Sequence, residues 1–143
     1  MAKKYKIGYT TGVFDMFHIG HLNILRRAKE QCDYLIVGVT TDALCEARKN
    51  KLPIICENDR VAIVEAIRYV DRVVPQITMD KFAAWEKYGF NAIFHGDDWK
   101  GSALYNEVEE RLKSVGVDMV FLPHTEGVSS TALAEKKKSN DKN

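Results

Sequence analysis

Residues 9–21 read YTTGVFDMFHIGH, and this stretch decides the fold. It begins inside a short strand-like run, 6–11, and ends inside a segment, 20–31, whose apolar residues are spaced for one face of a helix. A strand that turns through glycine into a helix is the first half of a βαβ unit, from which parallel sheets are built. The stretch therefore predicts an α/β fold, with His18 and His21 on the first turn of its first helix.

The rest of the chain repeats this alternation of β-branched runs and helix-period segments. Further strands are expected at 34–40, 72–74, 92–95 and 119–122, and further helices from 57, over 80–88 and over 102–115. Ser129 or Ser130 is placed to cap a last helix, whereas the basic segment from Ala43 to Pro53 is expected to be irregular. We predict a single-domain, Rossmann-like three-layer fold around a five-stranded parallel sheet, with a domain over 1–135 and a disordered polar tail at 136–143.

Composition narrows the class of protein. A chain of 143 residues, 45% of them hydrophobic, has material for one core. With 21 basic and 20 acidic residues the formal charge is +1, so no general attraction to nucleic acid or to an anionic membrane is expected. The three cysteines lack CxxC spacing and predict free thiols in a reducing compartment. No leader-like segment or apolar span is visible, and we expect a cytoplasmic protein.

Polar and glycine-containing segments follow four of the predicted strands. They are Gly12–Asp15, Thr40–Asp42, Gly96–Trp99 and Pro123–Thr131. Ligands of such sheets bind beyond the carboxyl ends of the strands, near the point where strand order reverses. The four segments therefore predict one site at that edge.

The histidine pair indicates what this site binds. Imidazole nitrogens and the free N–H groups of a helix N-terminus are donors suited to the phosphates of a nucleotide. Gly20, between the histidines, would let a base or ribose approach the backbone. The plainer alternative is that His18 caps the helix and His21 is a satisfied surface side chain. Asp15 is equally open to two interpretations, a turn or N-cap residue or a part of the phosphate site that acts through a metal.

The stretch 9–21 closely resembles the signature of the nucleotidylyltransferase superfamily, small α/β enzymes with an HxGH motif. Gly96-Asp97-Asp98-Trp99 and the segment from Thr125 to Thr131 are similar to the cytidylyltransferase family, above all to its small bacterial members that act on glycerol 3-phosphate. The similarity extends from Ile7 to Thr131 and includes 67–71. One departure is His124, which stands where that family has a phosphate-contacting arginine.

The resemblance implies roles for particular residues. As catalytic residues it implies His18, His21 and Lys49, the last on a mobile loop with Lys51 as the reserve. For the nucleotide and its phosphates it implies Gly12, Val13, Phe14, Asp15, Gly20, Lys51, Asp98, His124, Thr125, Gly127, Ser129, Ser130 and Thr131. For the acceptor it implies Arg68, Asp71 and Trp99. Plainer interpretations stay open: a solvated charge cluster at Lys49, a helix cap at Ser129–Thr131, helix-end or subunit-contact charges at Arg68 and Asp71, and core packing at Trp99.

The function that the resemblance implies is transfer of CMP from CTP to glycerol 3-phosphate or a similar phosphorylated alcohol, with release of pyrophosphate. Magnesium is expected with the triphosphate, because a divalent ion neutralises the oxygens around the α-phosphorus. No dedicated metal site is visible in the sequence. A homodimer is expected by resemblance. The alternatives are an ATP-dependent adenylyltransferase and a nucleotide-binding module without turnover.

Overall fold

The computed structural model describes residues 3–96 and 103–123, with backbone alone at 103–105. Its elements are β1 Tyr5–Gly12, α1 Ile19–Gln31, β2 Cys32–Thr40, α2 Asp42–Lys49, α3 Glu57–Glu65, β3 Arg72–Gln76, α4 Lys81–Tyr88, β4 Ala92–Gly96, α5 Ala103–Lys113 and β5 Asp118–Leu122. Strands and helices alternate in the way that the sequence predicts, with strand ends shifted by one or two residues.

The strands form one parallel sheet in the order β3-β2-β1-β4-β5. In the central register Thr10 of β1 lies between Val37 of β2 and Phe94 of β4. The chain adds β2 and β3 on one side of β1 and then crosses to add β4 and β5 on the other. Strand order therefore reverses between β1 and β4, and connections leave these two strands in opposite directions, which opens a crevice at their carboxyl ends.

Helices cover both faces of the sheet. Leu25 of α1 and Val64 of α3 pack with Val37 on one face, and Leu112 of α5 packs with Ile36 on the other, where α4 joins them. From Leu35 to Thr40 every residue of β2 is buried, which is expected for a parallel strand covered on both sides. The predicted three-layer, Rossmann-like fold with a five-stranded parallel sheet is confirmed.

One expectation is wrong: most of the segment Ala43–Pro53 is helical, as α2. Thr41 caps the helix by accepting the N–H of Leu44 on Oγ1 at 3.1 Å, and Asn50 ends it in the left-handed conformation at φ 56°. Basic residues at the end of a helix are favourable, because they face its partial negative charge. The charge cluster that suggested a loop is therefore the last turn of α2.

Two further predictions concern residues outside the described part of the chain. These are the last helix capped by Ser129 or Ser130 and the polar tail at 136–143. The predicted domain limits, 1–135, likewise stay a prediction. The three cysteines are free thiols, as the sequence predicts.

Candidate active site

The loop after β1 packs tightly before α1 begins. Phe14 and Met16 adopt positive φ values of 55° and 49°, a conformation that side chains rarely take. Phe14 is buried, and a Cβ at Gly12 would lie 3.0 Å from its ring. Glycine at position 12 therefore leaves the space that the Phe14 ring occupies. The ring in turn makes an edge contact with His21 at a centroid distance of 5.4 Å.

His18 and His21 form a reciprocal cap on the first turn of α1. The N–H of Gly20 donates to Nδ1 of His18 at 3.0 Å, and the N–H of His18 donates to Nδ1 of His21 at 3.1 Å. The two rings stack with centroids 3.8 Å apart. Because each Nδ1 accepts a backbone N–H, a neutral ring must carry its proton on Nε2. The plainer interpretation of His18 as a cap is thus correct, and the same cap orients two Nε2–H donors.

Burial keeps His21 neutral. The ring contacts Phe14, Phe17 and His18, and burial followed by the neighbouring His18 lowers the pKa of His21 to about 4, while the charge of Asp15 acts in the opposite direction. A neutral imidazole with its proton on Nε2 can donate a hydrogen bond without first gaining a proton. His21 is therefore suited to hold a phosphoryl oxygen over a wide pH range.

Asp15 does not cap α1, since His18 does. Its two carboxylate oxygens accept the N–H groups of Ile54 and Ile55 at 2.9 and 2.8 Å. Asp15 therefore joins the loop after β1 to the segment between α2 and α3. This contact places its carboxylate beside the histidine pair while holding a second loop at the same edge of the sheet.

Sequence reasoning missed Arg60, which has no exposed surface. Its guanidinium donates four hydrogen bonds: Nη1 to the carbonyls of Val13 at 2.8 Å and Thr40 at 2.7 Å, Nε to that of Ile55 at 2.9 Å, and Nη2 to Asp42 at 2.5 Å. One side chain thus joins the ends of β1 and β2 to the start of α2. The signal in the sequence is spacing, because Arg60 lies four residues before the buried Val64 on the same helix face.

The lysines predicted to contact the triphosphate lie on this rim of the fold. Lys49 is the last residue of α2 and Lys51 follows the Asn50 cap, and both are exposed. Asp42, at the other end of α2, exchanges hydrogen bonds with Glu57, whose N–H and carboxylate each pair with it. The helix that carries Lys49 is therefore anchored at the site and directs its last turn outward.

Buried polar groups occupy the opposite face of the same edge. Thr40 belongs to one of the polar segments that the sequence predicts at the site, whereas Gln76, Lys81 and His95 were missed. Thr40 donates its hydroxyl to Gln76 at 2.5 Å, and both side chains are buried. Burial, and then the charge of Arg48, lowers the pKa of Lys81, while burial and then Lys81 lower the pKa of His95 to about 3. Polar groups therefore lie at the carboxyl ends of the strands on both faces of the sheet.

Arg68 and Asp71 are not brought to this edge. Both precede β3 and lie at the amino ends of the strands. Asp71 pairs with Lys29 at 2.5 Å and accepts the N–H of Leu35 at 2.8 Å, so it joins the end of α1 to β2. Arg68 is exposed, with its guanidinium 5.8 Å from the Tyr69 ring centre. The structure places Asp71 in a contact between α1 and β2 and Arg68 on the surface, and the acceptor role implied for them stays a prediction.

Eight implied residues lie outside the described part of the chain: Asp98, Trp99, His124, Thr125, Gly127, Ser129, Ser130 and Thr131. Pro123, which directly precedes His124, is described. Its carbonyl accepts a hydrogen bond from Arg27 of α1 at 2.9 Å. Within 3–96 and 103–123, no group of three or more potential ligands could hold a metal ion. Over the same ranges, no helix is both long and apolar enough to cross a membrane.

A parallel sheet whose order reverses beside a histidine pair at a helix N-terminus is typical of nucleotide-binding α/β proteins. A family model described as Cytidylyltransferase-like matches residues 9–136, and the chain belongs to that family. The prediction of a nucleotidyltransferase is thereby confirmed at the level of the family.

Two relatives and one solved structure illustrate the similarity. Glycerol-3-phosphate cytidylyltransferase of Bacillus subtilis is 35% identical over 134 residues, which cover 89% of this chain and 93% of that protein. FAD synthase of Thermococcus sibiricus is 34% identical over 128 residues, covering 87% and 85%. The lipopolysaccharide core biosynthesis protein of Thermoplasma volcanium superposes with a TM-score of 0.70 at 26% identity, over 85% of this chain and 97% of that one.

The first prediction concerns the protonation of His21. With a pKa of about 4 in the folded chain and 6.5 in the unfolded chain, the unfolded state binds more protons between these values. The free energy of unfolding should therefore fall as pH is lowered through this window. Nitrogen-15 NMR of the imidazole should show the neutral form with its proton on Nε2 down to about pH 5. A midpoint near 6.5, or a proton on Nδ1, would contradict the geometry.

Proposed function

We propose that the chain transfers CMP from CTP to the phosphate of a small phosphorylated alcohol, preferably glycerol 3-phosphate, and releases pyrophosphate. The observation that carries the proposal is the pair of Nε2–H donors on the first turn of α1, at the reversal of strand order. Support for CTP and for this acceptor comes from the similarity to the Bacillus subtilis enzyme over nearly the whole of both chains.

The chemistry suits neutral donors. An oxygen of the acceptor phosphate attacks the α-phosphorus and forms the new P–O bond, while the bond to the bridging oxygen breaks and pyrophosphate leaves with its electron pair. The attacking oxygen is already anionic, so no general base is needed. His18 and His21 donate from Nε2 to oxygens that gain negative charge in the transition state, and positioning with electrostatic stabilisation supplies the rate.

The nucleotide would approach the first turn of α1 at Gly20 and the loop Gly12–Asp15, with Lys49, or Lys51 in reserve, on its β- and γ-phosphates. A compact ammonium group on a flexible stem suits that role. Asp98, Trp99 and the segment His124–Thr131, which lie outside the described residues, belong to this proposal as base, acceptor and phosphate contacts. Arg27 holds the carbonyl that directly precedes that segment.

Magnesium would enter as part of the substrate, MgCTP. Both carboxylate oxygens of Asp15 already accept a backbone N–H, and the described residues contain no cluster of three ligands. Such a donor set fits an ion held chiefly by triphosphate oxygens and water, which is how magnesium commonly binds with nucleotides. The ion would neutralise the leaving pyrophosphate.

The second candidate is an adenylyltransferase that uses ATP. The 34% identity to an FAD synthase over most of both chains favours it, because the histidine pair acts on phosphates and does not distinguish bases. The third is a nucleotide-binding module without turnover. The intact histidine pair, both of whose Nδ1 atoms accept backbone N–H groups, supports turnover over the third candidate.

The test is pyrophosphate release with magnesium across CTP, ATP, GTP and UTP. Each is paired with glycerol 3-phosphate, phosphocholine, phosphoethanolamine, 4′-phosphopantetheine, FMN and a panel of sugar phosphates. We expect release with CTP and glycerol 3-phosphate. Release with ATP alone would replace the nucleotide while keeping the mechanism. Nucleotide binding by calorimetry with no release in any pair would favour the binding module.

Variants of the histidine pair test the mechanism. His18→Asn keeps an acceptor for the Gly20 N–H but removes the Nε2 donor, so kcat should fall about 10²- to 10³-fold with little change in melting temperature. His21→Ala should have a similar effect on kcat. Arg26→Ala, a change at a partly exposed position of the same helix, is the control and should retain activity. Turnover within about threefold of normal in either histidine variant would rule out the proposed donors.

A homodimer is part of the proposal. The edge strand β3 is flanked by exposed apolar side chains, Ile63 on α3 and Ile77 and Met79 after the strand. An apolar surface beside an open sheet edge is typical of a protein interface. Sedimentation equilibrium should give a mass of twice the 16.3 kDa of one chain. A single-chain mass at micromolar concentration would contradict it.

A further inference from the structure

Residues 43–53, which we call the arm, carry both candidate triphosphate lysines and are fixed at their two ends. At the first end Asp42 pairs with Arg60 at 2.5 Å and exchanges hydrogen bonds with Glu57. At the second end Asp15 accepts the N–H groups of Ile54 and Ile55. Between these points every residue from 46 to 52 is exposed.

Arg60 contacts both ends of the arm. Its Nη2 donates to Asp42 before the arm, and its Nε donates to the Ile55 carbonyl after it. Its Nη1 donates to the carbonyls of Val13 and Thr40, at the ends of β1 and β2. The planar guanidinium therefore sets both ends of the arm against the strand ends that carry the histidine loop.

We propose that Arg60 is a positioning residue that holds the ends of the arm so that Lys49 or Lys51 reaches the triphosphate. The proposal rests on the proposed function for its substrate. Arg60 itself does not contact the nucleotide, because it is fully buried and four of its five N–H donors are used within the chain. Its effect on the reaction passes through the exposed lysines.

Two substitutions separate charge from geometry. Arg60→Lys keeps the positive charge but cannot reproduce the planar fork, and Arg60→Met removes both. The matched control is Arg72→Met. Arg72 is exposed and lies at the amino end of β3, away from the carboxyl ends of the strands where Arg60 binds. Melting curves first establish that each variant is folded, and all further measurements are made at temperatures where it is.

The first readout is independent of activity. Trypsin cleaves after Arg48, Lys49 and Lys51, all of which lie in the arm. We expect cleavage there to become about tenfold faster in Arg60→Lys than in Arg72→Met, with little dependence on urea, because the arm opens locally without global unfolding. An unchanged rate, or cleavage that follows global unfolding, would overturn the proposal.

The second readout is a double-mutant cycle with Lys49→Ala, repeated with Lys51→Ala. kcat/KM for CTP should fall about tenfold in Arg60→Lys and about a hundredfold in Arg60→Met, while KM for the acceptor stays within about twofold. In the Arg60→Met background, loss of the functional lysine should cost less than about threefold. Independent, multiplicative losses for both lysines would overturn the proposal.

The two readouts separate this inference from the proposed function. If the unmodified chain releases no pyrophosphate with any nucleotide, the proposed function fails, and proteolysis still decides whether Arg60 holds the arm. If the chain is active and the cycle is multiplicative, the proposed function stands and Arg60 is a structural residue alone.

Discussion

The buried guanidinium of Arg60 is the interaction on which this edge of the fold depends. The carboxyl ends of parallel strands leave carbonyl groups without ladder partners, and a buried carbonyl without a donor is costly. Arg60 donates to two such carbonyls, of Val13 and Thr40, and pairs its charge with Asp42. The Arg60 side chain is fully buried and that of Asp42 is 35% exposed, so solvent screens part of the attraction between the two charges. The strand ends, the start of α2 and the loop before α3 are therefore stabilised together.

A second set of contacts fixes α1 relative to that edge. The histidine cap begins the helix, Asp15 joins the preceding loop to Ile54 and Ile55, and Arg27 reaches the carbonyl of Pro123 after β5. The helix that carries the histidine pair is thus attached to the segments that follow three different strands. These contacts hold residues that are far apart in sequence at the same edge of the sheet.

Periodicity predicted most of the fold because strands covered on both faces and helices with one apolar stripe have clear patterns. It failed at α2, whose exposed, charged residues have no apolar stripe wide enough to identify a helix. The site was predictable at His18 and His21, where the motif is local. Arg60 was not, because its four partners are separated from it by 5 to 47 residues. The contact of Asp71 with Lys29, 42 residues away, could not be predicted for the same reason, because it is a property of the tertiary structure.

The charges of the described residues at the candidate site determine how a triphosphate would be held there under the proposed function. Arg60 is buried, pairs with the partly exposed Asp42 and directs its remaining bonded donors to carbonyls. Burial keeps His21 neutral, and it lowers the pKa of Lys81. The buried Arg60 and the neutral His21 therefore offer hydrogen bonds and no accessible positive charge. A nucleoside triphosphate carries several negative charges, so compensation must come from groups that arrive with it or move to it. Under the proposed function, a divalent ion on the nucleotide and the exposed lysines of the arm would supply that positive charge.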